Sequence, residues 1–492
     1  MSDVLFRTAT EAAAAVRGGE ISSRELTAWQ LDRIDAANPI LNAVVELRPE
    51  EALAEAASAD EATARGEALG PLHGVPMTIK EAFNLAGLHT TWGNPAFKDY
   101  VPRWDATVVS RLRRAGAIVV GKTNVAAMLA DYGQTANDLY GVTNNPWNIS
   151  HAAGGSSGGA AAAVVAGLAF LDYGSDLVGS IRLPASYCGV YGLRPSVNIV
   201  PRTGFQPPGP PAEPSDMTSL VSVGPLTRSA DDLRVALTAT AGPEAPTSRA
   251  YSWSLPPARH IDLTEFRVRV VLDHPRAPTS SEIADRLSDT IDALAQAGAT
   301  VEEGWSDGVD PVEQHRSFGF GLGEFFGFVE AADDFATFGE IVEHEHRRMA
   351  ARTRWARCFG DVDVFICPTS FTPAFPHDHR AFAERTIRTP EGDRAYDDQT
   401  FWISQPALPG LPTVSAPIGQ TATGLPVGIQ IIGPLYEDNT PITFAELLGK
   451  VTGGYQQPPI NDRTNGRESD PRMSVKGWRR RPSGPAQVGR SR

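Results

Sequence analysis

Two serines in this 492-residue chain are wrapped in glycine. Ser156 lies in Gly154-Gly155-Ser156-Ser157-Gly158-Gly159. Ser180 lies in Gly174-Ser175-Asp176-Leu177-Val178-Gly179-Ser180-Ile181-Arg182. An alanine-rich run separates them. Glycine at that density removes Cβ atoms and lets backbone N–H groups converge on one point. Such a point holds a serine nucleophile beside an oxyanion, so the two loops suggest acyl-transfer chemistry.

Other motifs compete for the chemistry. Gly116-Ala117-Ile118-Val119-Val120-Gly121-Lys122-Thr123 satisfies the P-loop formula. A P-loop needs its inner residues in a phosphate-cradling loop between a strand and a helix, whereas Ala117 to Val120 favour the strand itself. Gly154 to Gly158 also fits Gly-x-Ser-x-Gly, the nucleophile elbow. That motif needs a strand directly before the serine, and Asn145-Pro146-Trp147-Asn148-Ile149-Ser150-His151 reads as a turn. His344-Glu345-His346 falls in a charged helical run, where residues two apart point to different faces. His377-Asp378-His379 falls in a polar loop. Both histidine pairs read as solvated surface, and no Cys/His cluster supports zinc.

The elements that must position the serines follow from pattern. Thr8–Glu11 and Ser22–Glu25 fit the capping box and open two helices. The charged, alanine-rich run Pro49 to Glu67 reads as a third. Val75, Met77 and Ile79 alternate with Pro76, Thr78 and Lys80, which predicts a strand with Lys80 off its apolar face. Further strands are expected at Ala117–Val120, Val268–Leu272, Val364–Ile366 and Val427–Ile432. Helical patterns between them imply an α/β fold: a single large mixed, mostly parallel sheet covered by helices on both faces. Residues 1–460 form one domain in this reading. The proline-rich run Gln206 to Ser215 reads as a surface loop. Residues 461–492 carry a formal charge of +6 within a chain of −14 and read as a disordered basic tail. A nucleic-acid or membrane contact through Arg479-Arg480-Arg481 is the weaker reading beside an inert solvated tail. The acidic remainder argues against a nucleic-acid partner. Three cysteines do not suggest a disulfide framework, the N-terminus lacks a signal-type run, and the Ala160–Leu171 stretch is too short to span a bilayer. A cytoplasmic protein is expected, with no membrane partner; a homodimer is allowed.

Several separated segments together resemble the amidase signature family. They include Gly74 to Glu81, Gly121-Lys122-Thr123-Asn124, both glycine–serine loops and Cys188-Gly189-Val190-Tyr191-Gly192-Leu193-Arg194-Pro195. They continue in Gly224 to Ser229, Val362 to Pro368 and Leu425 to Gln430. The resemblance covers the chain to about Pro459. It implies the amidase signature fold and hydrolysis of a small-molecule carboxylic amide to acid and ammonia, with no cofactor and no metal. By resemblance Ser180 is the nucleophile. Ser156, held in the family by a cis peptide bond, is the proton relay, and Lys80 the base. The N–H groups of Leu177, Val178, Gly179 and Ser180 form the oxyanion hole. Asp176 and Arg182 are expected to pair and brace the loop. Ser157 either supports that loop or caps the alanine-rich helix, and Lys122 is structural or superficial.

Two positions depart from the family pattern. The family usually has Gly-Gly-Ser where this chain has Val178-Gly179-Ser180, and Glu81 stands where aspartate is usual. If position 178 takes φ > 0, the valine costs on the order of 1–2 kcal/mol. Two other functions share the resemblance: a catalytically weak homologue kept for binding, and the amidase subunit of a tRNA-dependent amidotransferase.

Overall fold

The computed structural model describes residues 2–206, 220–329 and 335–460. The tail 461–492, and all of the proline-rich run except Gln206, lie outside these residues.

Both N-terminal capping boxes form. The Glu11 N–H donates to Thr8 Oγ1 at 3.1 Å, and the Glu11 carboxylate accepts from the Thr8 N–H at 2.8 Å. Ser22 and Glu25 repeat the arrangement. The helices they open span Ala9–Arg17 and Ser23–Leu41. The third helix spans Pro49–Ala64, with proline at its first turn, where an N–H has no intrahelical partner to lose.

A three-stranded sheet holds Val44–Leu47, Ile118–Thr123 and Pro76–Lys80 in that order. Pro76–Lys80 runs parallel to Ile118–Thr123, and Lys80 stands opposite Thr123. Gly121, Lys122 and Thr123 are thus strand residues with no phosphate-cradling loop.

Among the described residues the central sheet has eight strands. Their order is Thr300–Glu303, Arg267–Val270, Val364–Pro368, Pro426–Ile432, Thr413–Gln420, Tyr191–Arg194, Ser222–Thr227 and Leu171–Asp176. Only Arg267–Val270 pairs in parallel, with both of its neighbours; every other pairing in this sheet is antiparallel. The sheet is mixed rather than mostly parallel. Thr413–Gln420 shows why: it returns as Pro426–Ile432 through a short hairpin turn, where Thr421 N–H donates to Leu425 O. A tight turn permits only antiparallel pairing.

Both faces of the sheet are covered. Val364 and Ile366 enter one core with Val268, Leu287, Ile429 and Leu448, while Phe365 and Cys367 enter a second with Trp355 and Trp402. This is the period-two alternation of a strand buried on both sides. The helix Gly158–Val165 is buried along its whole length in a third core with Ile181, Ala185 and Leu226. Among the described residues no helix is long and apolar enough to cross a membrane.

Candidate active site

Lys80 ends the strand Pro76–Lys80, and all five residues of that strand are buried. The side that carries Lys80, off the apolar face, is covered too, because the edge strand Leu171–Asp176 and the helix Gly158–Val165 both pack against the strand. Lys80 Nζ contacts three hydroxyls: Ser156 Oγ at 2.7 Å, Ser157 Oγ at 2.8 Å and Ser175 Oγ at 2.9 Å. Burial pushes the Lys80 ammonium down to about 7, against the pull of the Asp176, Asp172 and Glu81 carboxylates. A lysine in this setting is readily neutral near physiological pH.

Ser156 and Ser157 lie immediately before the helix Gly158–Val165. The Gly155–Ser156 peptide is cis. Gly155 N–H donates to Tyr132 O at 2.9 Å, and a Cβ on Gly155 would lie 2.4 Å from both Asp131 O and Gln134 O. Only glycine fits so close to that backbone. The segment before the loop is not a simple turn: Asn148–Ala152 is a short strand paired with Asn144–Asn145. It belongs to a two-stranded hairpin of largely accessible residues outside the central sheet, not to the sheet strand an elbow requires.

Ser180 sits between the strand Leu171–Asp176 and the helix Arg182–Cys188. Its carbonyl accepts from the Ser157 N–H at 3.2 Å, which ties the two glycine–serine loops together. Ser156 and Ser180 are 1% and 5% exposed, so both are buried. Ser180 Oγ makes no hydrogen bond to a described residue, whereas Ser156 Oγ is held by Lys80.

Asp176 organises the Ser180 loop. Its Oδ1 accepts from Gly179 N–H and Arg182 Nη2, each at 2.9 Å. Its Oδ2 accepts from Arg182 Nε at 2.9 Å and from the Ile181 and Arg182 N–H groups. Arg194 approaches the same carboxylate at 3.7 Å. Burial pushes Asp176 up, but the Arg182 charge and hydrogen bonds outweigh it and hold the carboxyl at about 2. Gly179 takes φ +82°. Its N–H is committed to Asp176, which removes it from the expected set of free donors; those of Leu177, Val178 and Ser180 bond to no described residue.

Val178 is not in the left-handed region, so the strain considered for a valine there does not arise. The positive φ falls one residue later, on glycine. Val178 is buried in the core that holds Tyr132, Phe371, Phe375 and Trp402, and Leu177 bridges that core and the first.

Ser157 and Ser175 are direct partners of Lys80 that the motif reading did not assign. Ser157 makes no capping bond to the helix it precedes. The available signal was positional: Ser157 adjoins Ser156, and Ser175 is the penultimate residue of the strand that packs on Lys80. Lys122 is structural. It is fully buried and donates to His89 O and Thr90 Oγ1. Glu81 anchors the next segment by accepting from Thr91 and Trp92 N–H groups. His344 is 6% exposed and packs on Phe320, so it is a core residue and not the solvated one expected. His377 bonds Asn144 Oδ1 at 3.0 Å.

The family model described as Amidase matches residues 25–317 and 326–441. The chain is 34% identical over 449 residues to an acylamidase of Rhodococcus erythropolis, with 86% of this chain and 91% of that protein covered. It is 32% identical over 473 residues to a glutamyl-tRNA(Gln) amidotransferase subunit from Synechococcus sp. (strain CC9605), covering 86% and 92%. The solved structure of a 6-aminohexanoate cyclic dimer hydrolase matches with a TM-score of 0.76 at 26% identity, over 93% of this chain and 99% of that one. Over nearly its whole described length, then, this chain belongs to the amidase signature family and is an amide-hydrolysing enzyme.

Proposed function

We propose that the enzyme cleaves a carboxylic amide through an acyl-enzyme on Ser180, with Ser156 as proton relay and Lys80 as base. The observation that carries this reading is the 2.7 Å contact between Lys80 Nζ and Ser156 Oγ, made by a lysine with no exposed surface. A neutral amine has two N–H donors and one lone pair, so one of its three hydroxyl neighbours must donate to it. Ser157 Oγ directs its own proton toward Ser175 O at 3.4 Å, which leaves Ser156 and Ser175, and Ser156 is the nearer at 2.7 Å against 2.9 Å.

Ser156 passes its proton to Lys80 as it takes the proton of Ser180, and Ser180 Oγ attacks the amide carbon. The oxyanion that forms lies within reach of the N–H groups of Leu177, Val178 and Ser180. Preorganised donors of this kind are worth about 3 kcal/mol each in the transition state. The Lys80 proton then returns through Ser156 to the leaving nitrogen, ammonia departs, and water releases the acid from Ser180. The catalytic hydrogen bond from Ser180 tightens only once substrate is bound, which is common for such sites.

Leu177 and Val178, next to the nucleophile, carry apolar side chains and offer no polar group to a glutamine carboxamide, which favours an amide of an apolar acid. The reading sits with the acylamidase relative rather than with the amidotransferase. Labelling with a fluorophosphonate probe tests the nucleophile: the parent should label, and Ser180→Ala should lose the label together with ammonia release from a panel of aliphatic, aromatic and peptide amides. A parent that neither labels nor hydrolyses any amide would point to the binding homologue. Activity that appears only with co-purified partner chains would point to the amidotransferase.

A further inference from the structure

Asp172 lies four residues before Asp176 on the edge strand Leu171–Asp176, fully buried. Its Oδ2 accepts from Thr78 Oγ1 at 2.6 Å and Thr123 Oγ1 at 3.0 Å, while its Oδ1 has no hydrogen-bond partner among the described residues. Thr78 stands two residues before Lys80, on the same side of the strand, and Thr123 is the register partner of Lys80. The carboxyl is thus hung from the two strands that carry and flank the base. Packing does not require a charge here: an asparagine oxygen would accept from both threonines equally well. A buried carboxylate with an empty lone-pair side is costly, so a compensating role is needed.

The charges around Lys80 supply one. Once Lys80 takes the Ser180 proton, an ammonium forms in a site without exposure. Asp176 also pulls on Lys80, but Arg182 at 2.9 Å and Arg194 at 3.7 Å share its carboxylate and leave that cluster with a net positive charge. Glu81 is turned to the Thr91 and Trp92 N–H groups and faces Lys122. Lys122 is itself turned to His89 O and Thr90. The helix Gly158–Val165 and the strand Ser222–Thr227 contain no ionisable side chain, and the buried side chains of the helix Ser23–Leu41 are uncharged. Arg228, just beyond that strand, donates to Arg7 O, Val164 O and Ala169 O. Tyr173 keeps its hydroxyl on Thr240.

Resting on the reading of Lys80 as base, we propose that Asp172 is a positioning residue of the reaction: a buried counter-charge that compensates the Lys80 ammonium formed during acyl transfer. Burial raises the Asp172 carboxyl to about 7, opposed by the two threonine hydroxyls, the Tyr173 N–H and the Lys80 charge.

The test is the pH dependence of fluorophosphonate labelling of Ser180 between about pH 5 and 10, which needs no knowledge of the natural amide. Labelling requires neutral Lys80, so the rate climbs as Lys80 loses its proton. Removing the neighbouring anion makes the ammonium less stable, so Asp172→Asn should move the midpoint to lower pH by about one unit. Thr78→Val, which removes one hydroxyl from the carboxylate, should move it the same way by less. A midpoint unchanged in Asp172→Asn overturns the proposal, since a merely structural residue alters stability without moving it. Should Asp172→Asn fail to fold, an unchanged midpoint in Thr78→Val overturns it equally. Failure of the underlying reading looks different: Lys80→Met would then label with the parent's rate and pH midpoint.

Discussion

At the scale of single residues the site works through what surrounds Lys80. With the ammonium held down to about 7 by burial, the base is neutral above that pH and protonated below it. The sign follows: kcat/KM for amide hydrolysis should rise with pH through about 7, and Lys80→Met should lose at least about 1,000-fold in kcat, read by ammonia release. A rate that falls through this range would mean that the protonated lysine is the active form. Val178 makes a second prediction. It fills space in the core beside the nucleophile, so Val178→Gly should cost about 2 kcal/mol in denaturant unfolding while raising kcat/KM for bulkier acyl groups. Equal kinetics across acyl sizes would remove Val178 from the acyl pocket. The two glycine-wrapped serine loops and the strand that carries Lys80 were legible in local pattern, while the roles proposed for these three residues came from the family resemblance. Ser175 and Asp172 were not: each matters only through a neighbouring strand, and strand order across separate segments is not written in local pattern.

At the scale of elements, the Ser180 loop is a brace built on one ion pair. Arg182 and Asp176 are both fully buried, and Arg182 also donates to Ile403 O at 2.9 Å and Gln430 Oε1 at 2.7 Å. Arg182→Met would leave Asp176 buried with its main partner gone, which should cost about 3–5 kcal/mol of stability, measured by chemical denaturation. The pairing of Asp176 with Arg182 was readable from their spacing. The consequence for Gly179 was not, since the direction of one N–H depends on the turn, not on residue type. Gly155→Ala belongs to the same scale. Its Cβ would strike two carbonyl oxygens at 2.4 Å, and both the melting temperature and the labelling rate should fall. The capping boxes and the strands at Ile118–Thr123 and Pro426–Ile432 followed from local propensity and alternation, where sequence is most informative.

At the scale of the whole molecule, alternating helices and strands suggested a mostly parallel sheet, and the actual order mixes directions because hairpins such as Thr413–Ile432 interrupt the crossovers. Composition sets how many residues can be buried, not how strands are ordered. Ile460 is the last described residue and packs into the alanine-rich core beside the Ser156 helix. We propose that the catalytic domain ends there. Truncation after Ile460 should leave amide hydrolysis within twofold of the full chain, while the formal charge falls from −14 to −20.

The account stands on Ser180 as the atom that carries the acyl group. Both candidate serines fall between the tryptic sites Lys122 and Arg182, so one long peptide contains them, and fragmentation must separate them. Acid-quenching the enzyme during turnover of a slow acyl p-nitroanilide and fragmenting that peptide reads the attachment site. The account predicts the added acyl mass on Ser180 and none on Ser156; the same mass on Ser156 would contradict it.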